Sequence, residues 1–187
     1  MIVIKLGGSL DAGGELLECL DKVERDFQGL PTVLVPGGGL FADQVRSAQR
    51  RWHFGDGIAH QMALLAMQQM AFMYQGLKKG FGIAHNLADI GKMIPGQIAI
   101  WSPNIGELAK TPIPTNWDIT SDSLAAWLAH YLGADELILV KSCQVDPGLG
   151  MFELARLNIV DDAFASFTAQ ARYKITVVQA NTFYSDG

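Results

Sequence analysis

The chain has 187 residues, 49% of them hydrophobic and 18% charged, with a formal net charge of −5. That length and apolar content suit one domain with a sizeable core and exclude disorder by composition. Arg50-Arg51 and Lys78-Lys79 are isolated basic pairs, too few for a nucleic-acid footprint, and the most apolar stretch, residues 62–74, is interrupted by Gln68 and Gln69 and falls short of a membrane span.

The opening MIVIKLGG is too short an apolar stretch for a signal peptide, and Ile2–Leu6 reads as a buried strand ending in Lys5-Leu6-Gly7-Gly8-Ser9. Glycines there let the backbone turn sharply and approach a ligand, so successive N–H groups can face phosphate oxygens. Lys5, one residue before the turn, can set a positive charge against a transferring phosphoryl group. Leu16, Leu20, Val23 and Phe27 then recur at helical spacing. Thr32–Val35 is a second buried strand, stopped by Pro36, and Gly37-Gly38-Gly39 leads into a helix from about Phe41 to Trp52. Three glycines exceed the needs of a turn, and the helix N-terminus that follows adds partial positive charge. Gly37, Gly39 and Ala42 also fit the pattern GxGxxA, with Asp56 further on, which keeps a dinucleotide-binding reading open.

Residues 57–75 form the longest helical candidate, apolar on most of their surface, and therefore either deeply buried or part of a subunit interface. His60 lies on it and reads first as a hydrogen-bonded core or interface residue, with a substrate contact as the minority reading. Ile98–Trp101 is a further strand. The stretch from Ser102 to Asn116 holds three prolines and reads as a surface loop. Trp117-Asp118-Ile119-Thr120-Ser121-Asp122-Ser123 opens a helix through Leu132. Ser121 or Asp122 would cap it, and a carboxylate there could orient lysines or a metal–phosphate complex. Glu136–Val140 is a strand ending in Lys141-Ser142, a helix is expected over residues 160–171, and Lys174–Gln179 closes the chain as a last strand. Cys19 and Cys143 lack metal spacing and read as reduced thiols of a cytoplasmic protein. Neither GxxxxGK[ST], GxSxG nor HExxH occurs. Strands alternating with helices predict an α/β chain, a three-layer αβα sandwich with a mostly parallel sheet, in one domain over residues 1–187.

KLGGS on the first strand, PGGG on the second, SDSLAA at a helix start and the strand ending at residue 141 together resemble the amino acid kinase superfamily in order and spacing. ADQVR, AHQMALLAMQQM, WDITSDSLAAWLA and LVKS are most similar to its methanofuran-biosynthesis branch, linked to tetrahydromethanopterin-dependent one-carbon metabolism. The resemblance implies an ATP-dependent kinase of a small anionic metabolite, with an aminomethylfuran-methyl phosphate as the acceptor suggested by that branch. It places ATP phosphates on Lys5, Gly7, Gly8 and Ser9, with Ser142 on the nucleotide side. It places the acceptor on Gly37, Gly38 and Gly39, and it gives Asp122 the task of positioning lysines. A Gly-Gly-Met segment with a second catalytic lysine does not occur, so Lys141 is expected to supply that charge. Mg²⁺ would bridge ATP oxygens, with no protein residue assigned as a direct ligand. A nucleotide, isopentenyl phosphate or amino acid carboxylate as acceptor stays open, as does a silent ligand-binding module. The partners expected are a small-molecule substrate and a second copy of the chain, with neither nucleic acid nor membrane.

Overall fold

A computed structural model describes residues 1–92 and 96–185. In chain order the elements are β1 (Ile2–Leu6), α1 (Leu10–Gly13), α2 (Glu15–Phe27), β2 (Thr32–Pro36), α3 (Gly39–Trp52), α4 (Asp56–Leu77), β3 (Gly82–Ala84) and α5 (Leu87–Ile90). They continue with β4 (Ile98–Trp101), α6 (Ile105–Leu108), α7 (Ser121–Tyr131), β5 (Glu136–Lys141), α8 (Met151–Arg156), α9 (Phe164–Thr168), β6 (Lys174–Gln179) and α10 (Ala180–Ser185). The six strands form one sheet in the order β3-β4-β2-β1-β5-β6, and every pairing is parallel. Parallel strands buried on both faces read as unbroken apolar runs, as IVIKL, TVLVP and ELILVK do.

Alternation along the strands sorts side chains to two cores. Val3, Val33, Val35, Leu137 and Leu139 pack with α7, α8 and α9 on one face. Ile4, Leu6, Leu34, Ile138 and Val140 pack with α2 and α10 on the other. The helix α4 contributes Leu64 and Met67 to the first core and Met70, Ala71 and Tyr74 to the second. This is the three-layer α/β arrangement expected, with a sheet that is parallel throughout.

Several elements differ from the sequence reading. The helix expected over residues 160–171 is confined to Phe164–Thr168, because residues 160–163 form a turn that carries Asp161 toward α7. The proline-bearing stretch after β4 is not wholly a loop: Asn104 accepts from the Glu107 N–H and starts the single turn α6. The cap proposed for α7 also moves. Thr120 is the N-cap and its side chain makes no capping bond, while Ser121 and Asp122 lie inside the first turn. Among the described residues no helix is long and apolar enough to cross a membrane.

Candidate active site

In an open parallel sheet, ligands bind beyond the carboxyl ends of the strands where successive connections leave in opposite directions. Here β1 leads toward β2 on one side, and β5 leads toward β6 on the other. The crevice lies between β1 and β5, whose ends carry Lys5 and Lys141. Strand alternation turns both lysines to the α7 face: Lys5 follows Val3, and Lys141 follows Leu137 and Leu139. The small residues Ala125, Ala126 and Ala129 let α7 pack closely on the sheet. Asp122, in its first turn, therefore sits over the two strand ends.

The outcome is a buried charge triad. Asp122 Oδ1 lies 2.8 Å from Lys5 Nζ, and Oδ2 accepts from Lys141 Nζ at 2.6 Å. Lys5 and Asp122 are each 4% exposed and Lys141 8%, so all three charged groups are buried. Burial alone would raise the Asp122 pKa; the charges of Lys5 and Lys141 outweigh it and bring it to about 2. Burial and the neighbouring Lys5 charge lower Lys141 to about 8, against the pull of Asp122. Within the triad two lysines share one carboxylate, and the charge of Asp161 acts on Lys141 from outside it.

Asp161 holds this arrangement from outside. Its Oδ2 accepts from the Thr120 N–H (2.8 Å), Thr120 Oγ1 (2.9 Å) and the Ser123 N–H (3.0 Å), and its Oδ1 accepts from Ser123 Oγ. It thus supplies the carboxylate that caps α7, from 38 residues further along the chain. Sequence reasoning passed it over, because no local spacing marks a cap delivered from a distant turn.

The two glycine loops lie directly on each other. A Cβ on Gly37 would come 2.4 Å from Gly8 N, and one on Gly8 would come 2.5 Å from Gly39 N. Gly39 has φ +52°, the left-handed region that favours glycine. The Gly7 N–H is used by Val140 O and the Gly37 N–H by Leu6 O, whereas the N–H groups of Gly8, Ser9 and Gly38 have no protein acceptor among the described residues. Ser9 Oγ and Ser142 Oγ are 2.7 Å apart and bridge the ends of β1 and β5. Asp11 Oδ2 accepts from the Leu40 N–H at 3.3 Å, joining the first loop to the start of α3. The Gly37–Gly39–Ala42 spacing therefore reflects loop-to-loop packing, and Asp56 is engaged by Gln49 at 2.7 Å.

Two adjoining cavities reach Lys141, and the smaller also reaches Asp122. One of about 340 Å³ runs between α3, α4 and the second glycine loop, walled by Ala63, Leu64, Met67 and His60. The other, about 260 Å³, lies toward Asn158, Val160 and Asp162. Burial lowers the His60 pKa, with a smaller opposing effect from its hydrogen bond to the Asn116 backbone. The site thus brings together Lys5, Gly8, Ser9, Gly38, Gly39, Asp122, Lys141 and Ser142, while Gly7 and Gly37 serve as the backbone joints that set the loops.

Residues 1–144 match the profile of the amino acid kinase family. The (5-(aminomethyl)furan-3-yl)methyl phosphate kinase of Methanocaldococcus jannaschii is 30% identical over 142 residues, covering 74% of this chain. The chain spans 64% of that curated relative's length. Among solved structures, uridylate kinase from Archaeoglobus fulgidus superposes with a TM-score of 0.68 at 17% identity, over 98% of this chain and 93% of that one. Aspartate kinase from Synechocystis gives 0.67 at 18% identity, over 96% and 38% of the two chains. UMP kinase from Bacillus anthracis gives 0.64 at 16% identity, over 96% and 87%. At such identities these structures show a shared fold.

Proposed function

Since this chain belongs to the amino acid kinase family, we propose that it transfers the γ-phosphoryl group of ATP to a small anionic acceptor in the cytoplasm. The observation that carries this reading is the buried Lys5–Asp122–Lys141 triad, whose Lys141 lines one cavity together with Gly8 and Ser9, residues whose N–H groups have no protein acceptor among the described residues. Those groups fit a triphosphate: main-chain donors for its oxygens, and two ammonium groups for the charge that spreads over the transferring phosphoryl group. Asp122 holds both lysines in place without touching substrate. Among the described residues no three His, Cys, Asp or Glu side chains converge on one point. When bound with the nucleotide, magnesium would supply further charge neutralisation at its phosphates.

The acceptor we infer is a phosphomonoester of the kind named for the 30% identical relative, an aminomethylfuran-methyl phosphate. A phosphate oxygen attacks the γ-phosphorus, the bond to the β,γ-bridging oxygen breaks, and ADP leaves. No proton has to move, so no general base is needed. The cavity of about 340 Å³ beside the second glycine loop is large enough for a small ring-bearing phosphomonoester. Catalysis then rests on positioning and charge.

The test measures ADP formation with ATP, Mg²⁺ and this furan phosphate, with UMP, isopentenyl phosphate and aspartate as rival acceptors. ADP formation dependent on the furan phosphate is expected. Lys5→Ala should lower kcat by roughly 100- to 1000-fold, comparable to loss of an oxyanion donor, with the fold intact by circular dichroism. Near-normal turnover in that variant would remove Lys5 from the mechanism. We also propose that two copies associate through the outer face of α4, where Ile58, Leu65 and Phe72 recur every seven residues and are 54%, 45% and 57% exposed.

A further inference from the structure

Four residues line both cavities: Arg46, Trp117, Thr120 and Lys141. They mark the junction of the two cavities, the larger of which also holds Gly8, Ser9, Gly38 and Gly39. Three of the four have their polar groups engaged, Trp117 through its indole N–H to Gln49. Lys141 is held by Asp122 at 2.6 Å, and Thr120 by Asp161. Arg46 differs. Among the described residues its guanidinium has no carboxylate partner, and Asp43, one turn earlier on α3 and lining the same cavity, makes no ion pair with it.

What holds Arg46 is an aromatic platform. Its guanidinium carbon lies 4.1 Å from the centre of the Trp117 ring. The indole is itself fixed: its N–H donates to Gln49 Oε1 at 2.6 Å. The amide nitrogen of Gln49 donates to Asp56 Oδ1 (2.7 Å) and to the Phe54 carbonyl (3.2 Å). So α3, the turn before α4 and the segment before α7 all contribute to placing one guanidinium. Stacking occupies the face of that group and leaves the N–H donors at its edge free, in the fork that matches a phosphate. The platform adds cation–π attraction as the site loses water.

We propose that Arg46 is the acceptor's anion clamp: it binds the phosphate of a phosphomonoester at the junction of the two cavities. The assignment rests on the kinase reading above and gives it a charge balance. A phosphate acceptor brings negative charge against a triphosphate, and the encounter is repulsive unless cations sit between them. Lys5 and Lys141 share one carboxylate, so Arg46 supplies the remaining positive charge. It reaches the junction from α3, which starts at the second glycine loop, and so its charge belongs to the acceptor's side.

The test uses the whole chain labelled with ¹⁵N. The Trp117 indole N–H signal is assigned by its loss in Trp117→Phe. Methyl phosphate, the smallest phosphomonoester probe, is then titrated in the presence of Mg²⁺ and a non-hydrolysable ATP analogue. A saturable shift of the Trp117 signal is expected in the native protein. Arg46→Gln should weaken the apparent affinity roughly 10- to 100-fold, as expected for a lost hydrogen-bonded charge, and Arg46→Lys should fall between. Affinity for the ATP analogue should stay within about twofold, since the clamp is on the acceptor's side. In turnover, the acceptor KM should rise in both variants far more than the ATP KM. Equal methyl phosphate affinity in Arg46→Gln, or no saturable shift in the native protein, overturns the clamp. Failure of the native chain to bind the ATP analogue or to form ADP is a different result: it overturns the kinase reading, while the methyl phosphate titration still decides Arg46.

Discussion

Asp122 can orient two lysines only while the first turn of α7 is itself fixed, and that task falls to Asp161. Its carboxylate gathers two N–H groups and two hydroxyls from Thr120 and Ser123. Asp161→Ala leaves those donors without an acceptor and should destabilise the fold by about 1–3 kcal/mol. It should also lower kcat more than it changes the ATP KM, because small misplacements of a charged triad weaken transition-state contacts most. Thermal unfolding together with steady-state kinetics checks this, and unchanged kcat would reduce Asp161 to a simple cap. Lys141 carries the pH dependence. An unfolded lysine titrates near 10.4, whereas burial and Lys5 bring Lys141 down to about 8. Its charge is lost as pH rises through about 8, so kcat/KM for ATP should decline there, and Lys141→Arg should abolish the decline. Stability moves the other way. Between about 8 and 10.4 the unfolded chain binds the extra proton, so this group's contribution to stability rises with pH. A kcat/KM profile flat to pH 10 in the native protein would contradict the assignment. Lys5 and Lys141 were legible as strand-end lysines because charge in an apolar run is conspicuous. Asp161 and Arg46 were not, because each acts through a partner far away in sequence.

The element that builds the site is the contact between two turns. Gly8 and Gly37 meet backbone to backbone, so the glycines serve loop packing as much as ligand approach. Gly37→Ala would push a methyl to 2.4 Å from Gly8 N and 2.7 Å from Gly8 Cα, neither of which is the end of a flexible side chain. A loss of about 1–3 kcal/mol is expected, together with weaker ATP binding, read by unfolding with and without nucleotide. Gly76→Ala is the matching control. Gly76 lies inside α4 and an added Cβ meets nothing within 4 Å, so that change should stabilise by roughly 0.5–1 kcal/mol. If Gly37→Ala proved as benign as the control, the loops would have to be looser than their contact implies. The same scale explains which elements the sequence revealed. The strands IVIKL, TVLVP, IAIW, ELILVK and KITVVQ announce themselves by apolar runs. The three-residue strand GIA and the single turns α5 and α6 are too short to establish a period, and tertiary contact alone fixes them. The expected helix over residues 160–171 shrank because Asp161 serves α7 instead of its own segment.

Across the whole molecule, α4 is apolar for two different reasons. Its inner side fills both cores and walls the larger cavity through His60, Ala63, Leu64 and Met67. Its outer side carries Ile58, Leu65 and Phe72, seven residues apart, a spacing of about two helical turns that keeps them on one face. The sequence could see that the helix was apolar nearly all round, but it could not divide burial from interface, since both demand the same residue types. That row of large apolar side chains is the surface on which the proposed association rests. A second copy is the occupant proposed, and the arrangement links assembly to the site. Covering the outer face of α4 would steady the helix whose inner face walls the larger cavity. Leu65→Glu with Phe72→Glu should therefore give a monomer by light scattering at micromolar concentration, where the native chain is a dimer or larger. Both positions are exposed, so the melting temperature of the isolated monomer should reflect lost association alone. The acceptor KM should rise severalfold while the ATP KM stays near its native value, because the nucleotide site proposed above lies at the ends of β1 and β5 and not on α4. A native chain that is monomeric under those conditions would sink the proposal, and dimerisation without any change in acceptor KM on disruption would separate assembly from the site.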